Sequence, residues 1–243
     1  MKKIAVLLFV FMLVLTGCTS VSTTASSAQE RVLKAMDRIW IPENGEYVSF
    51  LVLEKTEWDY LLIREHTTGP SAFVYADSLN SYYANSALDD YLSSEYASRF
   101  SPEVQAYLLE SDVVITKESS IGCCGGETET IQRVFYVPSW TEATGMHNSI
   151  GLKEGSQFSK EFQQNFLSAT NDKKEPSAWW LRTPDTWDFN RVFGINEDGG
   201  VSTGSTVDSL AVYEAEVRPV FRVSVEIPIV YENEQWRMRI NTE

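Results

Sequence analysis

Two histidines limit the nucleophilic chemistry that this chain can carry out. His66 and His147 are the only histidines among its 243 residues. A serine nucleophile requires a neighbouring base, which is usually histidine. Neither "REHTTG" around His66 nor "GMHNSI" around His147 resembles the sharp strand-to-helix turn that exposes such a serine. The sequence therefore disfavours a serine hydrolase.

A pair of adjacent cysteines, Cys123 and Cys124, offers a different chemistry. Neighbouring Cα atoms lie about 3.8 Å apart, below the roughly 4.4 to 6.8 Å that disulfides span, so a bond between the two would be strained and easily reduced. Three interpretations stay open: a structurally minor loop pair, free or bonded to each other; an intermolecular or redox role; and a metal site. A metal site would need further ligands, and the two histidines are not at a finger-like spacing.

Carboxylates are abundant, with 34 aspartates and glutamates against 20 lysines and arginines. A glycosidase requires two carboxylates that face each other across a cleft, but abundance alone singles out no pair. The segments "DTWDFN" and "NEDGG" offer oxygen atoms to calcium, although neither has the alternation of an EF-hand loop. We therefore expect no metal site and no cofactor, while calcium at these segments and a metal at the cysteine pair stay open as alternatives.

The stretch "SAWWLRTPDTWDFN", from Ser177 to Asn190, concentrates aromatic side chains. In a strand, Trp179 faces one side of the sheet while Trp180 and Arg182 face the other. Because both faces are bulky, we expect a central strand that is covered on both sides. Arg182 and Arg218 each lie in a strand segment that ends at a proline, and we expect carboxylate or carbonyl partners to hold them in a largely buried setting.

The loop that follows this strand is the candidate ligand contact. Trp187 lies beyond Pro184 among polar residues, where a large ring gains less from core packing. Exposed aromatic rings flanked by amides and carboxylates suit the recognition of sugars or peptides. We therefore name Trp187, Asp188 and Asn190 as candidate ligand contacts, against the alternative that the indole folds back over a sheet edge.

The N-terminus predicts the cellular location. Lys2 and Lys3 precede twelve apolar residues, 4–15, that would form a helix of about 18 Å, too short for a hydrocarbon core of roughly 30 Å. The following "LTGC" resembles the lipobox of bacterial lipoproteins, which implies cleavage of residues 1–17 and acylation of Cys18. This implies membrane attachment through Cys18 on the outer face of the cytoplasmic membrane. An ordinary signal peptide with a chance cysteine is the alternative.

The composition indicates a flexible tether followed by a folded domain. Residues 18–27 are mostly small and hydroxylated, so we expect a flexible tether. Removal of Lys2 and Lys3 changes the net charge from -14 to -16, which argues against nucleic acid as a partner. The hydrophobic fraction of 43% and the aromatic fraction of 12% support a substantial core.

Periodicity predicts the elements that must position these side chains. Ser27 and Glu30 form a capping box before an amphipathic helix from about residue 28 to 39, within an N-terminal segment 28–46. We expect a hairpin in "EYVSFLVLEKTEWDYLLIRE", a helix capped at Asn85 or Ser86, a second helix after Ser101, a capping box at Ser139 and Glu142, and a helix in "FSKEFQQNFLSAT".

Strands dominate the remainder of the chain. They are predicted in "DVVIT", "RVFYVPS", "AWWLRT", "RVFGIN", "GVSTG" and "EVRPVFRVSVE", with a hairpin turn from Asn196 to Gly200. The predicted fold class is α+β: a single domain over residues 47–225, with helices packed on a mainly antiparallel β-sheet, followed by a C-terminal extension 226–243.

The ordered motifs "WWLRTP", "VFGINEDGGVS" and "VRPVFRV" resemble a domain of unknown function numbered 6273, found in surface and secreted proteins of Gram-positive bacteria. The resemblance covers roughly Tyr47 to Val223. Thr183 replaces the usual serine, and Glu216 stands where glycine normally precedes Val-Arg-Pro. In motif order the family is similar to the C-type-lectin-like fold shared with formylglycine-generating enzymes. Those enzymes use a cysteine pair that this chain lacks in its last third.

Three functions stay open from sequence alone. We favour a lipid-anchored, extracytoplasmic binding module without evident catalytic machinery, which recognises an envelope glycan or protein. The first alternative is a cell-envelope hydrolase that uses carboxylates the sequence does not identify. The second is a purely structural envelope lipoprotein.

Overall fold

The computed structural model describes residues 32–75, 80–122, 126–146, 152–185, 187–206 and 215–240. The predicted signal peptide and tether lie outside these ranges, as do Cys18, Cys123, Cys124 and His147.

Strands make up most of the regular secondary structure in the described chain. The first half contains β1 (Arg38–Glu43), β2 (Glu46–Lys55), β3 (Asp59–Arg64), β4 (Pro70–Ser71), β5 (Leu108–Leu109), β6 (Ser111–Thr116), β7 (Thr128–Arg133) and β8 (Phe135–Tyr136). The second half contains β9 (Ala169–Thr170), β10 (Pro176–Ser177), β11 (Trp179–Pro184), β12 (Arg191–Ile195), β13 (Val201–Thr206), β14 (Ala215–Glu216), β15 (Val220–Ser224), β16 (Ile229–Glu232) and β17 (Gln235–Met238).

The helices are short. They are α1 (Ala87–Tyr91), α2 (Pro102–Gln105), α3 (Trp140–Thr144) and α4 (Lys160–Asn165), with a π-helical turn Leu92–Tyr96 and 3₁₀ turns Ala97–Arg99 and Glu118–Ser120. The Ser86 hydroxyl accepts a hydrogen bond from the Asp89 N–H at the start of α1. Ser139 and Glu142 form the predicted capping box at α3. Local polar signals thus place helix starts correctly.

The larger sheet has the strand order β16-β17-β1-β2-β3-β15-β5, and β8 also pairs with β15. In the described chain its pairs are antiparallel except β1 with β17, which is parallel. A smaller sheet has the order β13-β12-β11-β14-β4. Two further sheets have two strands each, β9 with β10 and β6 with β7. The fold is therefore sheet-rich and mainly antiparallel, with few helices.

Aromatic side chains form the centre of the core. Phe50 from β2, Phe135 from β8 and Phe221 from β15 are buried, and Phe100 stacks on Phe135 with ring centroids 5.2 Å apart. Phe221 lies 5.2 Å from Phe50 and 5.1 Å from Phe135. Fully burying one such ring contributes about 1.5 to 3 kcal/mol. This cluster joins the helical turns around Phe100 to the larger sheet.

The predicted helix from about residue 28 to 39 is wrong over its described part. Residues 35 and 36 form a turn, and β1 begins at Arg38. Met36 has a φ of 68, in the left-handed region that a helix interior does not adopt. Ile39 and Ile41 are buried opposite Phe50 and Val48 of β2. Pairing with a distant strand therefore overrides the local helical spacing.

The C-terminal segment 226–243 contributes to the same sheet as the domain before it. Within it, β16 and β17 form a hairpin, and Ile39 of β1 pairs with Trp236 of β17. The Tyr47 hydroxyl also donates to the Met238 carbonyl at 2.8 Å. The larger sheet is thus completed by strands from both ends of the described chain.

Candidate functional site

The central strand β11 buries its two tryptophans on opposite faces. Trp179 packs with Leu181 in one cluster, and Trp180 lies in the main core 5.6 Å from Phe73. Their indole N–H groups donate to the Leu167 carbonyl and to the Ser71 carbonyl. The strand lies between β12 and β14, so the two rings are core residues as the alternation predicts. Neither offers a ligand surface.

Arg182, on the same strand, is fully buried and forms an ion pair with Glu142, whose side chain is 10% exposed. Nη1 and Nη2 lie 2.6 and 2.7 Å from the two carboxylate oxygens, and the guanidinium also donates to the carbonyls of Val137 and Val114. Burial by itself lowers the pKa of Arg182, but the charge and hydrogen bonds of Glu142 raise it above its ordinary value. This bidentate pair fixes α3 against the smaller sheet.

Glu154 is a second buried carboxylate beside Arg182. Oε1 accepts from the backbone N–H and the hydroxyl of Thr116 at 2.6 and 2.8 Å, and Oε2 accepts from the Thr183 hydroxyl. The Thr183 hydroxyl also accepts from the Trp140 N–H at 2.8 Å. The Thr183 hydroxyl therefore links β11 to Glu154 and to the start of α3.

We expect Glu154 to make stability depend on pH. Burial raises the pKa of this carboxyl, against the lowering effects of Arg182, Thr183 and Thr116. The folded chain then holds the proton to higher pH than the unfolded chain. Its contribution is fully present below the unfolded-state pKa and is lost as pH rises through the folded-state pKa.

Urea denaturation from about pH 4 upward, compared between the wild type and Glu154→Gln, measures this effect. The wild type should lose unfolding free energy relative to the variant as pH rises. The exposed Glu110→Gln supplies the control curve. A difference between the wild type and Glu154→Gln that stays constant with pH would contradict the expectation.

Glu142 and Glu154 are the two carboxylates to consider for the hypothesis that the chain is a hydrolase. They are two neighbouring carboxylates, one with a raised pKa, as acid–base pairs often are. Both are buried, however, and their oxygens are occupied by Arg182, Ser139, Thr116 and Thr183. In this arrangement the contacts of the two carboxylates with other described residues stabilise the fold.

Arg218 is buried, and among the described residues no carboxylate is in hydrogen-bond contact with it. Its guanidinium donates to the backbone carbonyls of Arg64, Glu65 and Phe166. It lies between the rings of Phe162 and Trp179, with its central carbon 5.3 Å from each ring centroid. Burial lowers the pKa of Arg218 to about 9, so the group stays charged at neutral pH. It joins α4 to both sheets.

The loop after β11 presents two exposed aromatic rings. Trp187 is 62% exposed and Phe189, which sequence reasoning did not select, is 50% exposed. Hydrogen bonds within the loop fix its backbone: Trp187 N–H donates to Asp185 Oδ1 at 3.0 Å, and Asp185 N–H donates to the Arg191 carbonyl at 2.8 Å. The sequence could have indicated Phe189, because this second aromatic residue of "DTWDFN" follows Trp187 by two positions in the same polar loop.

The other two candidate contacts have different surroundings. Asp188 Oδ1 accepts from the Asn190 N–H at 3.0 Å, and Oδ2 pairs with Arg191 at 3.1 Å. Asp188 therefore holds the loop, although its side chain stays 40% exposed. Asn190 Oδ1 is buried, with no hydrogen-bond partner in the part of the chain that the structure describes. The structure brings Trp187, Asp188 and Asn190 into one short loop.

Two segments from earlier in the chain contact Phe189. The Ser81 N–H donates to the Phe189 carbonyl at 2.9 Å. A Cβ added at Gly122 would lie 3.1 Å from Phe189 Cβ, so this glycine allows the ring to approach closely. The segment that contains Ser81 and the segment that contains Gly122 are also joined to each other. The Asn80 side-chain amide donates to Glu118 Oε1 at 2.7 Å. Contacts with two other segments of the chain thus hold the loop in position.

The candidate calcium ligands serve as turn residues. Asp198 Oδ1 accepts from the Gly200 N–H, and the Asn196 N–H donates to the Gly200 carbonyl, which closes the predicted hairpin turn. Asp185 and Asp188 are used within their own loop. Across the described ranges, no three His, Cys, Asp or Glu side chains are grouped so that they could hold a metal ion.

Comparison with known proteins identifies one relationship. A family model described as "Domain of unknown function (DUF6273)" matches residues 59–225. No curated protein matches, and no solved structure matches. The matched range includes β11, the Glu142–Arg182 pair, Arg218 and the loop of Trp187. It leaves out β1, β2, β16 and β17, all of which belong to the larger sheet. Among the described residues, no helix is long and apolar enough to cross a membrane.

Proposed function

The chain belongs to the DUF6273 family, whose description assigns no activity, and for this member we propose a lipid-anchored binding module on the outer face of the cytoplasmic membrane. Its ligand is an envelope glycan or an envelope protein, with the glycan favoured. Cys18 is the proposed site of acylation, and the loop of residues 185–190 is the proposed ligand surface. No cofactor and no nucleic acid take part in this proposal.

One observation carries the proposal: Trp187 and Phe189 are exposed on a loop whose backbone is held in place. Leaving two large rings in water is unfavourable by about 25 cal/mol per Å² of apolar surface. Turn hydrogen bonds keep the loop in this conformation, so little ordering is required when a ligand binds. A fixed pair of aromatic rings beside carboxylates suits the apolar face and the hydroxyl groups of a sugar ring.

Asp188 and Asn190 have supporting roles in this proposal. Asp188 keeps exposed carboxylate surface that accepts hydrogen bonds from ligand hydroxyls while it holds the loop. Asn190 Oδ1 lies beneath the loop, so this atom does not contact a ligand in the conformation described. Trp187 is therefore the main contact, with Phe189 beside it.

Replacing Trp187 by alanine should weaken ligand binding roughly thirtyfold. Truncating an anchoring tryptophan costs about 2 kcal/mol, and 1.4 kcal/mol corresponds to a factor of ten in Kd. The full chain, purified in detergent, is tested by co-sedimentation with insoluble peptidoglycan and by calorimetric titration with soluble fragments. Both measurements are independent of the indole fluorescence that the substitution removes.

The matched control is Trp58→Ala, because Trp58 is 71% exposed in the turn between β2 and β3. Saturable binding that Trp187→Ala weakens and Trp58→Ala does not would support the proposal. Equal binding by both variants would contradict it. Release of cleaved glycan would favour the hydrolase alternative, and the absence of any glycan binding with retained protein partners would favour a structural lipoprotein.

We also propose that the fold is C-type-lectin-like. The support is the mainly antiparallel sheet, the neighbouring position of β1 and β17, and the smaller sheet that carries the Trp-Trp-Leu-Arg motif. An experimental structure compared with lectin-like domains would test this assignment. A different strand order in that structure would contradict it.

A further inference from the structure

The turn between β2 and β3, residues 56–58 and hereafter the Trp58 turn, carries the most exposed large hydrophobic side chain in the described chain. Trp58 is 71% exposed, more than Trp187. The Thr56 hydroxyl accepts from the N–H groups of Trp58 and Asp59, and the Val225 N–H donates to the Trp58 carbonyl. A rigid turn therefore holds this indole outward at one end of the larger sheet.

The described chain begins at this same end of the sheet. Lys55, immediately before the Trp58 turn, donates from Nζ to the Leu33 carbonyl at 3.3 Å. The Met36 N–H donates to the Val52 carbonyl, so residues 33–36 run beside the end of β2. Val32, which is 62% exposed, precedes Leu33. The residues that lead to Cys18 thus join the domain beside the Trp58 turn.

The covalent link to Cys18 is short. Thirteen residues separate Cys18 from Val32. For a random-coil chain of thirteen residues the root-mean-square end-to-end distance is about 20 Å, and full extension sets an upper limit of roughly 45 Å. With acyl chains on Cys18, this end of the sheet stays within that distance of the bilayer, while the rest of the domain lies further along the strands.

Charges around the Trp58 turn largely neutralise one another. Arg222 pairs with Glu54 at 2.9 Å and with Asp59 at 2.7 Å. With Lys55 and Glu57 of the same region, two cations lie near three carboxylates, so the net charge of these five groups is -1. A surface with a protruding indole and little net charge suits the headgroup level of a bilayer, where tryptophan is enriched because one part of its ring is apolar and one part is polar.

We propose that the Trp58 turn, together with Val32, contacts the lipid surface and sets the orientation of the domain on the membrane. This inference rests on the proposed anchoring through Cys18. The contact is with the uncharged interfacial region, so it does not depend on anionic lipid. With this end against the bilayer, the domain is held by two attachments, the acyl chains and the indole of Trp58.

The test uses the full chain, expressed with its own leader, purified and reconstituted into phosphatidylcholine vesicles whose acyl chains carry bromine near the headgroup. Bromine quenches the fluorescence of tryptophan that touches the lipid. Trp58→Phe should lose the quenching seen in the wild type. Trp187→Phe removes another exposed indole and should keep the quenching. Quenching that persists unchanged in Trp58→Phe would overturn the proposal.

A second measurement separates this inference from the anchoring on which it rests. The intact mass of the purified protein reports whether Cys18 is the first residue and carries acyl chains. An unmodified chain would refute the anchoring, and with it the argument that tethering directs the Trp58 turn to lipid. An acylated chain whose bromine quenching is the same with and without Trp58 would leave the anchoring intact and refute the lipid contact alone.

Discussion

Replacing Arg182 by methionine should destabilise the protein by about 3 to 5 kcal/mol, the range found when one partner of a buried ion pair is removed. The substitution leaves the Glu142 carboxylate buried with no guanidinium, and it removes the donors to the Val114 and Val137 carbonyls. Urea denaturation of the wild type and the variant measures the loss as a shift of the midpoint at constant slope.

The control for Arg182 is Arg191→Met, which removes an exposed pair with Asp188 and should cost less than about 1 kcal/mol. A double-mutant cycle with Glu142→Gln isolates the pair itself, since a direct interaction makes the two single losses non-additive. An unchanged melting temperature in Arg182→Met, accompanied by loss of ligand binding, would show that Arg182 acts on a ligand instead.

Replacing Gly155 by alanine should destabilise the protein by about 3 kcal/mol or more. Gly155 has a φ of +86, and a Cβ there would lie 2.4 Å from Glu142 Oε1. That oxygen cannot simply move away, because it accepts from Arg182 Nη2 at 2.7 Å while its partner oxygen accepts from the Ser139 N–H. The added methyl group therefore displaces Glu142 from Arg182.

Gly45→Ala provides the matched control, because Gly45 has a φ of +81 and nothing lies within 4 Å of an added Cβ. It reports the conformational cost of a left-handed residue alone, about 1 to 2 kcal/mol. The excess loss in Gly155→Ala over Gly45→Ala, measured by urea denaturation, is the contribution of the displaced ion pair. Equal losses in the two variants would contradict a steric role for Gly155.

Local signals in the sequence predict much of the described fold. The hairpin of β2 and β3, the start of α1 at Ser86 and the capping box at Ser139 and Glu142 all depend on residues within a few positions of one another. The alternation in β11 also predicts the burial of Trp179 and Trp180 on opposite faces. These features follow from backbone geometry and side-chain spacing, which the sequence displays directly.

The N-terminal strand shows where local reasoning fails. Residues 32–39 have apolar spacing suited to a helix, yet β1 begins at Arg38 because it gains partners on both sides. One partner, β17, lies almost two hundred residues later in the chain and pairs in parallel. No pattern within a short window reveals such a partner, because strand pairing is decided by the whole sheet.

The candidate ligand loop was only partly predicted. Its composition indicates an exposed Trp187, but the outward position of Phe189 depends on contacts with Ser81 and Gly122, more than sixty residues earlier. Asp188, expected as a ligand contact, also holds the loop through Asn190 and Arg191. Such contacts determine which polar groups of the loop remain available to a ligand.

By itself, the sequence determined the local elements, the core position of the Trp-Trp-Leu-Arg strand and the family to which the chain belongs, because each depends on short motifs in order. Only the tertiary structure decided that Glu142 partners Arg182, that Gly155 leaves room for this pair, and that Trp58 lies beside the start of the domain. The physical reason is that burial, charge pairing and close approach are properties of residues brought together in space, whatever their separation along the chain.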